Sequence, residues 1–342
     1  MLPTWKRYRP RVAVELGVNL VLVVTLAAGL TAIVHGSTAG MIAGTIALTL
    51  CAVQAILLFH DCMHQSAFGR RKVDTWVARA IGAFYGVPFH FLRHEHLSHH
   101  RRAGLVDGDP EALHPTEADA DRRPLGRLLA HVAHGGGDAF LYTWILQFGQ
   151  FARFLRRPTD RALLRATLID VACMLGFWVP FTAFLVAHGA YLRVLVLGFA
   201  IPAVAGLALV YEVAKPLHTL MIPFRLDGMS YADRQFAVAR SFHTHPLVGW
   251  LVCHLNFHLE HHLYPHVSRW DLPRLAREVR ADLRRHAQAR DLPLAIHDGY
   301  LSWRRAYQST LYNPIARWQD WWRHNRVFDY VDVHAPREER PS

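Results

Sequence analysis

The sequence predicts an all-α integral membrane protein whose four membrane-spanning helices form two hairpins. Three observations predict that class: apolar stretches of membrane length, a one-sided distribution of arginine, and histidines gathered at helical spacing.

A helix that crosses the hydrocarbon core needs about 20 apolar residues. No charged residue appears from Leu16 to Phe59, which is enough for two spans, about 16–34 and 40–59, broken at His35-Gly36-Ser37-Thr38-Ala39-Gly40. A basic start from Met1 to Arg11 followed by an apolar run is also how a secretory signal begins. This run is too long for a signal core, and no A-x-A site leads into a polar segment, so it reads as an uncleaved first span. Val171 to Leu192 is uncharged and gives a third span, about 168–188, with an earlier start near Leu163 as the alternative. Val194 to Tyr211 gives a fourth, about 192–211, after the tight turn His188-Gly189-Ala190-Tyr191.

Basic residues collect in cytoplasmic loops. Lys6, Arg7, Arg9 and Arg11 precede the first span, and segment 65–165 and the chain after 212 are rich in arginine. The turns 35–40 and 188–191 contain no Lys or Arg. Both termini and the segments 60–165 and 212–290 are therefore expected to be cytoplasmic. Two shorter apolar stretches, Trp76–Leu92 and Ala139–Leu155, read as interfacial or re-entrant helices, and 271–290 as a charged helix. The tail mixes Trp303, Trp318, Trp321 and Trp322 with arginines, which suits a membrane surface or a docking surface.

The chain has 342 residues, 52% hydrophobic, and a net charge of +11. That charge suits a membrane surface or nucleic acid, and the apolar segments select the membrane. Cys51, Cys62, Cys173 and Cys253 form no C-x-x-C pair and lie in or beside apolar stretches, so neither a disulfide framework nor a zinc ribbon is implied.

Histidine is the anomaly, with 24 copies in three notable clusters. His60 and His64 stand at i, i+4 at the end of the second span, which puts both rings on one helix face. His96, His99 and His100 follow at i, i+3, i+4, preceded by His94. His258, His261 and His262 repeat that triplet. One such pair is weak, because chance and packing explain most of them. An identical triplet twice plus a pair is a strong sign of a metal centre. Eight imidazoles exceed the four ligands of a tetrahedral zinc and fit two metals. Spacing does not choose the metal, since imidazole suits zinc, copper, iron and nickel. Ser98 stands where a zinc-protease H-E-x-x-H starting at His94 needs its second histidine, and the His134-Gly-Gly-Gly run has no accompanying G-x-S-x-G.

H-x-x-x-H, H-x-x-H-H and H-x-x-H-H resemble the three histidine boxes of the membrane fatty acid desaturase family, which includes related hydroxylases and carotenoid ketolases. His60-Asp61 opens the first box, Arg93 precedes the second, and Asp109-Pro110-Glu111 follows it. The third box, Asn256-Phe-His258-Leu-Glu-His261-His262-Leu-Tyr-Pro265, is similar to the family's N-x-H-x-x-H-H-L-x-P. The resemblance covers about 50–280.

It implies a four-span bundle under a cytoplasmic helical cap that holds two iron ions on the eight histidines, with dioxygen as co-substrate. It divides the chain into a membrane domain, 1–290, and a basic, aromatic tail, 291–342. The family's extra ligand near the end of the fourth span would be His218, with His243, His245 and His254 as competitors. Asn256 would act through a water, and Asp61, Glu95 and Glu260 would orient ring N–H groups. Phe84, Tyr85, Phe89, Phe91, Phe257 and Tyr264 are candidates for a lipid tunnel.

The implied reaction introduces a double bond into a lipid acyl chain, with electrons from a ferredoxin or a b-type cytochrome and its reductase. Nucleic acid has no part in it, and a bacterial inner membrane is the expected location. Three departures leave the substrate open. The third box starts with His258 rather than glutamine, no b-type cytochrome domain is fused, and Arg101-Arg102-Ala103-Gly104 and Pro265-His266-Val267 are similar to carotenoid ketolases. Hydroxylation or ketolation of a carotenoid or alkane is the alternative. A metal transporter is remote, because transporters carry ionisable residues at the midplane of their spans and the four apolar stretches have no Asp, Glu, Lys or Arg in their interiors.

Overall fold

The computed structural model describes residues 8–103, 148–158, 160–218, 228–292, 294 and 296–297. Among the described residues, four helices are long and apolar enough to cross a membrane. The first pair is α1 (Val12–His35) and α2 (Thr38–His64). Ser37 caps α2 by accepting from the Gly40 N–H at 3.3 Å, an orphan donor that the helix itself leaves open. The second pair begins with α5 (Arg161–Ala187), reached through α3 (Arg71–Tyr85) and α4 (Phe89–Arg102). After a turn at Gly189, α6 (Tyr191–Arg193), a π-helical stretch (Val194–Ala200) and α7 (Ile201–His218) follow one another without a break. Both expected hairpins are present.

These helices are apolar on the outside. Leu16, Leu20, Val21, Val23 and Val24 of α1 are exposed, which suits hydrocarbon rather than water. Half of the apolar window of α2 is buried, against 11% for α1, so α2 is the inner helix. Small residues allow its close contacts. A Cβ on Gly44 would stand 2.8 Å from the Gly29 carbonyl oxygen, and one on Gly206 of α7 would stand 2.7 Å from Ala52 Cβ.

The third span takes the earlier of the two starts read from the sequence and begins at Arg161, where the Asp160 carboxylate accepts from the N–H groups of Ala162 and Leu163. It therefore carries Arg165 and Asp170. Asp170 is 2% exposed and satisfied from outside its own helix: Arg79 Nε donates to it at 2.8 Å and the His90 N–H at 2.6 Å. Trp76–Leu92, expected as one helix, is divided between α3 and α4. Gly86 takes φ 72°, and Pro88 cannot continue the preceding turn. Asp170 thus caps α4, the helix of the second histidine cluster, from another span. Replacing Asp170 with alanine leaves Arg79 and the α4 N-terminus unpaired in the interior. We expect a loss of about 3–5 kcal/mol, read as a lower thermal unfolding midpoint in detergent; an unchanged midpoint would refute the capping role.

Residues 148–156 are helical, and the rest of the Ala139–Leu155 expectation lies outside the described residues. Beyond α7, four helices among the described residues form a cap at the end of the bundle where α2 finishes: α8 (Tyr231–Val238), α9 (Pro246–Leu251), α10 (His258–Leu263) and α11 (Leu272–Arg290). α11 confirms the charged helix expected at 271–290. Its Leu275, Val279 and Leu283 join Phe236 and Leu259 in one core, while Arg274, Arg277, Arg284, Arg285 and Arg290 are exposed. A parallel two-residue strand pair, β1 (Ser241–Phe242) with β2 (Ile296–His297), is the only sheet among the described residues. The tail tryptophans lie outside the described residues.

Candidate metal centre

The site is assembled by three helices. α2 ends in His60 and His64, α4 contributes His96, His99 and His100, and α10 contributes His258, His261 and His262. Helical spacing stacks each set on one face, and the bundle turns those faces toward each other. His60, His64, His96, His100 and His261 each offer a ring nitrogen, and these atoms all lie within 4.8 Å of one another. Their ring centroids are 4.7 Å apart for His60–His96 and His60–His261, and 4.5 Å for His64–His100. His262 stacks on His100 at 4.1 Å, His258 lies 4.6 Å from His262, and His99 lies 5.4 Å from it. All eight rings thus form one contiguous set. His94 is exposed and outside it.

The donor chemistry fits a cation. His96 Nε2 is 2.8 Å from His64 Nε2 and 3.1 Å from His100 Nε2. A neutral ring nitrogen carries one proton or one lone pair, so it satisfies one such neighbour at a time. A metal ion satisfies several lone pairs at once. Burial, followed by the neighbouring His262, His64, His96 and His261, holds His100 well below the ordinary histidine range. His100 is therefore neutral at pH 7, as a ligand must be.

The groups that the sequence singles out around the cluster lie as follows. Asp61 Oδ1 lies 3.3 Å from His60 Nδ1. Glu260 is fully buried, and burial raises its carboxyl pKa; it accepts from the Ser241 hydroxyl rather than from a histidine. Asn256 donates to the Phe242 carbonyl at 2.8 Å, and its Oδ1 is buried without a hydrogen-bond partner. His218 is the last residue of α7, and its side chain lies outside what is described. His245 caps α9 by accepting from the Leu247 N–H, and the His254 ring sits against Phe257 and Trp270. Neither belongs to the converging group, and nor does His243.

Of the tunnel candidates, Phe84 and Tyr85 pack with Phe199 between spans, Phe89 packs on Phe59, and Phe91 packs on Phe151 and Phe154. Phe257 and Tyr264 join the cap core. Sequence reasoning missed Gln235, whose side-chain oxygen is 2.8 Å from His262 Nδ1. It also missed Glu15 and Arg269, which meet in the interior. The available signals were slight: one acid just ahead of an apolar run and one arginine after the third cluster.

The fold and site define a four-span membrane protein with a buried histidine cluster. A family model described as fatty acid desaturase matches residues 37–292, and the chain belongs to that family. It is 26% identical over 247 residues to a fatty acid desaturase of Bacillus subtilis (strain 168), covering 67% of this chain and 66% of that one. It is 25% identical over 231 residues to a beta-carotene ketolase of Paracoccus sp. (strain PC1), covering 66% and 75%. It is 21% identical over 245 residues to a fatty acid desaturase 2-like protein of Mus musculus, covering 70% of this chain and spanning half of the mouse protein.

Proposed function

We propose that the eight clustered histidines hold two iron ions and that the protein desaturates a lipid acyl chain with dioxygen and two electrons from an external carrier. The convergence of five imidazole nitrogens within 4.8 Å carries this reading. Bound iron would supply the oxidising power to take hydrogen from an unactivated C–H bond, which side chains lack. The chain's own residues do the rest. Burial keeps His100 neutral, and Asp61 and Gln235 fix the rings of His60 and His262. His218 and Asn256 remain our proposed additional partners of the metals, and Glu260 acts as a buried support through Ser241.

The same reading puts residues 1–290 in one membrane domain, with both termini and the centre on the cytoplasmic side of a bacterial inner membrane. A ferredoxin, or a b-type cytochrome with its reductase, would be steered there by the net charge of +11, since such carriers are usually acidic. The match to 75% of the Paracoccus ketolase favours a second reading, oxygenation of a carotenoid on the same scaffold.

Lipid and pigment profiling of cells expressing the protein tests both. New double bonds in acyl chains are the expected result, and they should disappear without oxygen. Oxygenated carotenoids with unchanged acyl chains would select the second reading, and turnover under strict anaerobiosis would overturn both.

A further inference from the structure

Arg269 is 2% exposed, lies beyond the third histidine cluster, and has no role in the reading above. Its Nη2 donates to Glu15 in α1. Its Nη1 is 3.3 Å from Cys253 Sγ, and its Nε is 3.4 Å from Asp61 Oδ2, an ion contact without hydrogen-bond geometry. The Trp270 indole N–H donates to the other oxygen of Glu15. Asp61 in turn faces His60, with Oδ1 3.3 Å from Nδ1. Glu15 is 0% and Asp61 5% exposed, so the chain Glu15–Arg269–Asp61–His60 runs through the interior from the start of the first span to the first histidine box.

Burying two acids and an arginine is costly, and hydrophobic packing would join these segments more cheaply. What packing cannot do is aim an imidazole. A carboxylate on Nδ1 keeps the proton there and leaves Nε2 as the lone-pair donor. A carboxylate next to its own histidine in sequence has several rotamers, and it needs a second contact to hold one of them.

We propose that Arg269 and Glu15 are positioning residues for His60: they lock Asp61 against His60 Nδ1, so that Nε2 is presented to an ion. This rests on the reading of His60 as a metal ligand. Glu15 anchors Arg269, and Arg269 anchors Asp61.

The test uses the full-length protein, stripped of metal and dialysed against graded Co²⁺, with bound metal measured directly. Arg269→Gln is expected to weaken one ion by about 10–100-fold and to leave the other unchanged. Glu15→Gln, nearly isosteric, should shift the same ion in the same direction. In an Asp61→Asn background, Arg269→Gln should add less than about twofold, because both act along one path. Wild-type affinity for both ions in Glu15→Gln and Arg269→Gln would overturn the proposal. Full additivity with Asp61→Asn would overturn it as well, since Arg269 would then support the fold alone. If Arg269→Gln does not fold, Glu15→Gln with and without Asp61→Asn decides. His60→Ala should lose one ion outright; retention of both would sink the ligand reading itself, a result separate from failure of the positioning role.

Discussion

Replacing His261 with alanine is expected to abolish turnover and strip bound metal, while circular dichroism stays that of the parent. His261 is the third-box member of the converging group, with its ring 4.7 Å from His60, 4.8 Å from His64 and 5.0 Å from His100. It also touches His258 at 5.6 Å and His262 at 5.8 Å, so it stands between the tight group and the remaining rings. Loss of an outer partner of a metal ligand costs about 10–100-fold in affinity, and loss of the ligand itself should exceed that. The fold should survive, because α10 is held by Leu259 against Leu275 and Leu283, and not by the His261 ring. Elemental analysis, turnover and circular dichroism on one preparation make the comparison. A His261→Ala protein with full iron and full activity would remove the centre of the proposed function; His99→Ala supplies an independent check from α4.

Acid should destabilise the protein as pH falls from about 6.5 toward 4. Burial, followed by the nearby Arg269 charge, lowers His254 from 6.5 to about 4. Between those values the unfolded chain takes up a proton that the folded chain refuses, so stability falls as pH falls. Above 6.5 the group contributes nothing, and below 4 its penalty is complete. His100 and His266 are shifted in the same direction by burial. For His254 alone the full effect is on the order of 2 kcal/mol after allowance for its partial exposure. Each kcal/mol lost should lower the unfolding midpoint by about 2–4 °C. His254→Asn is the informative variant. The residue sits at φ 59°, a left-handed conformation that asparagine tolerates, and asparagine does not titrate. The variant should show a shallower fall between pH 6.5 and 4, and an unchanged slope would refute the assignment.

Local periodicity carried much of the structure. The first two spans were legible because the hydrophobic run is continuous, and each histidine set was legible because i, i+3 and i+4 neighbours share a helix face whatever the fold. What makes the early start of the third span tolerable was not legible. Asp170 is an acid in sequence, and only Arg79 and His90, 91 and 80 positions away, make it acceptable in the interior. The break at Gly86 was hidden by apolar residues on both sides.

By itself the sequence determined the membrane class, the two hairpins and which histidines are available, since these follow from interactions within one helix or between one helix and lipid. The tertiary structure alone decided that the three faces meet, that five ring nitrogens come within 4.8 Å, and that Gln235 and Arg269 stand behind the cluster. Glu15 and Arg269 are 254 positions apart. No periodicity encodes such a contact, because it depends on where separate helices end in space.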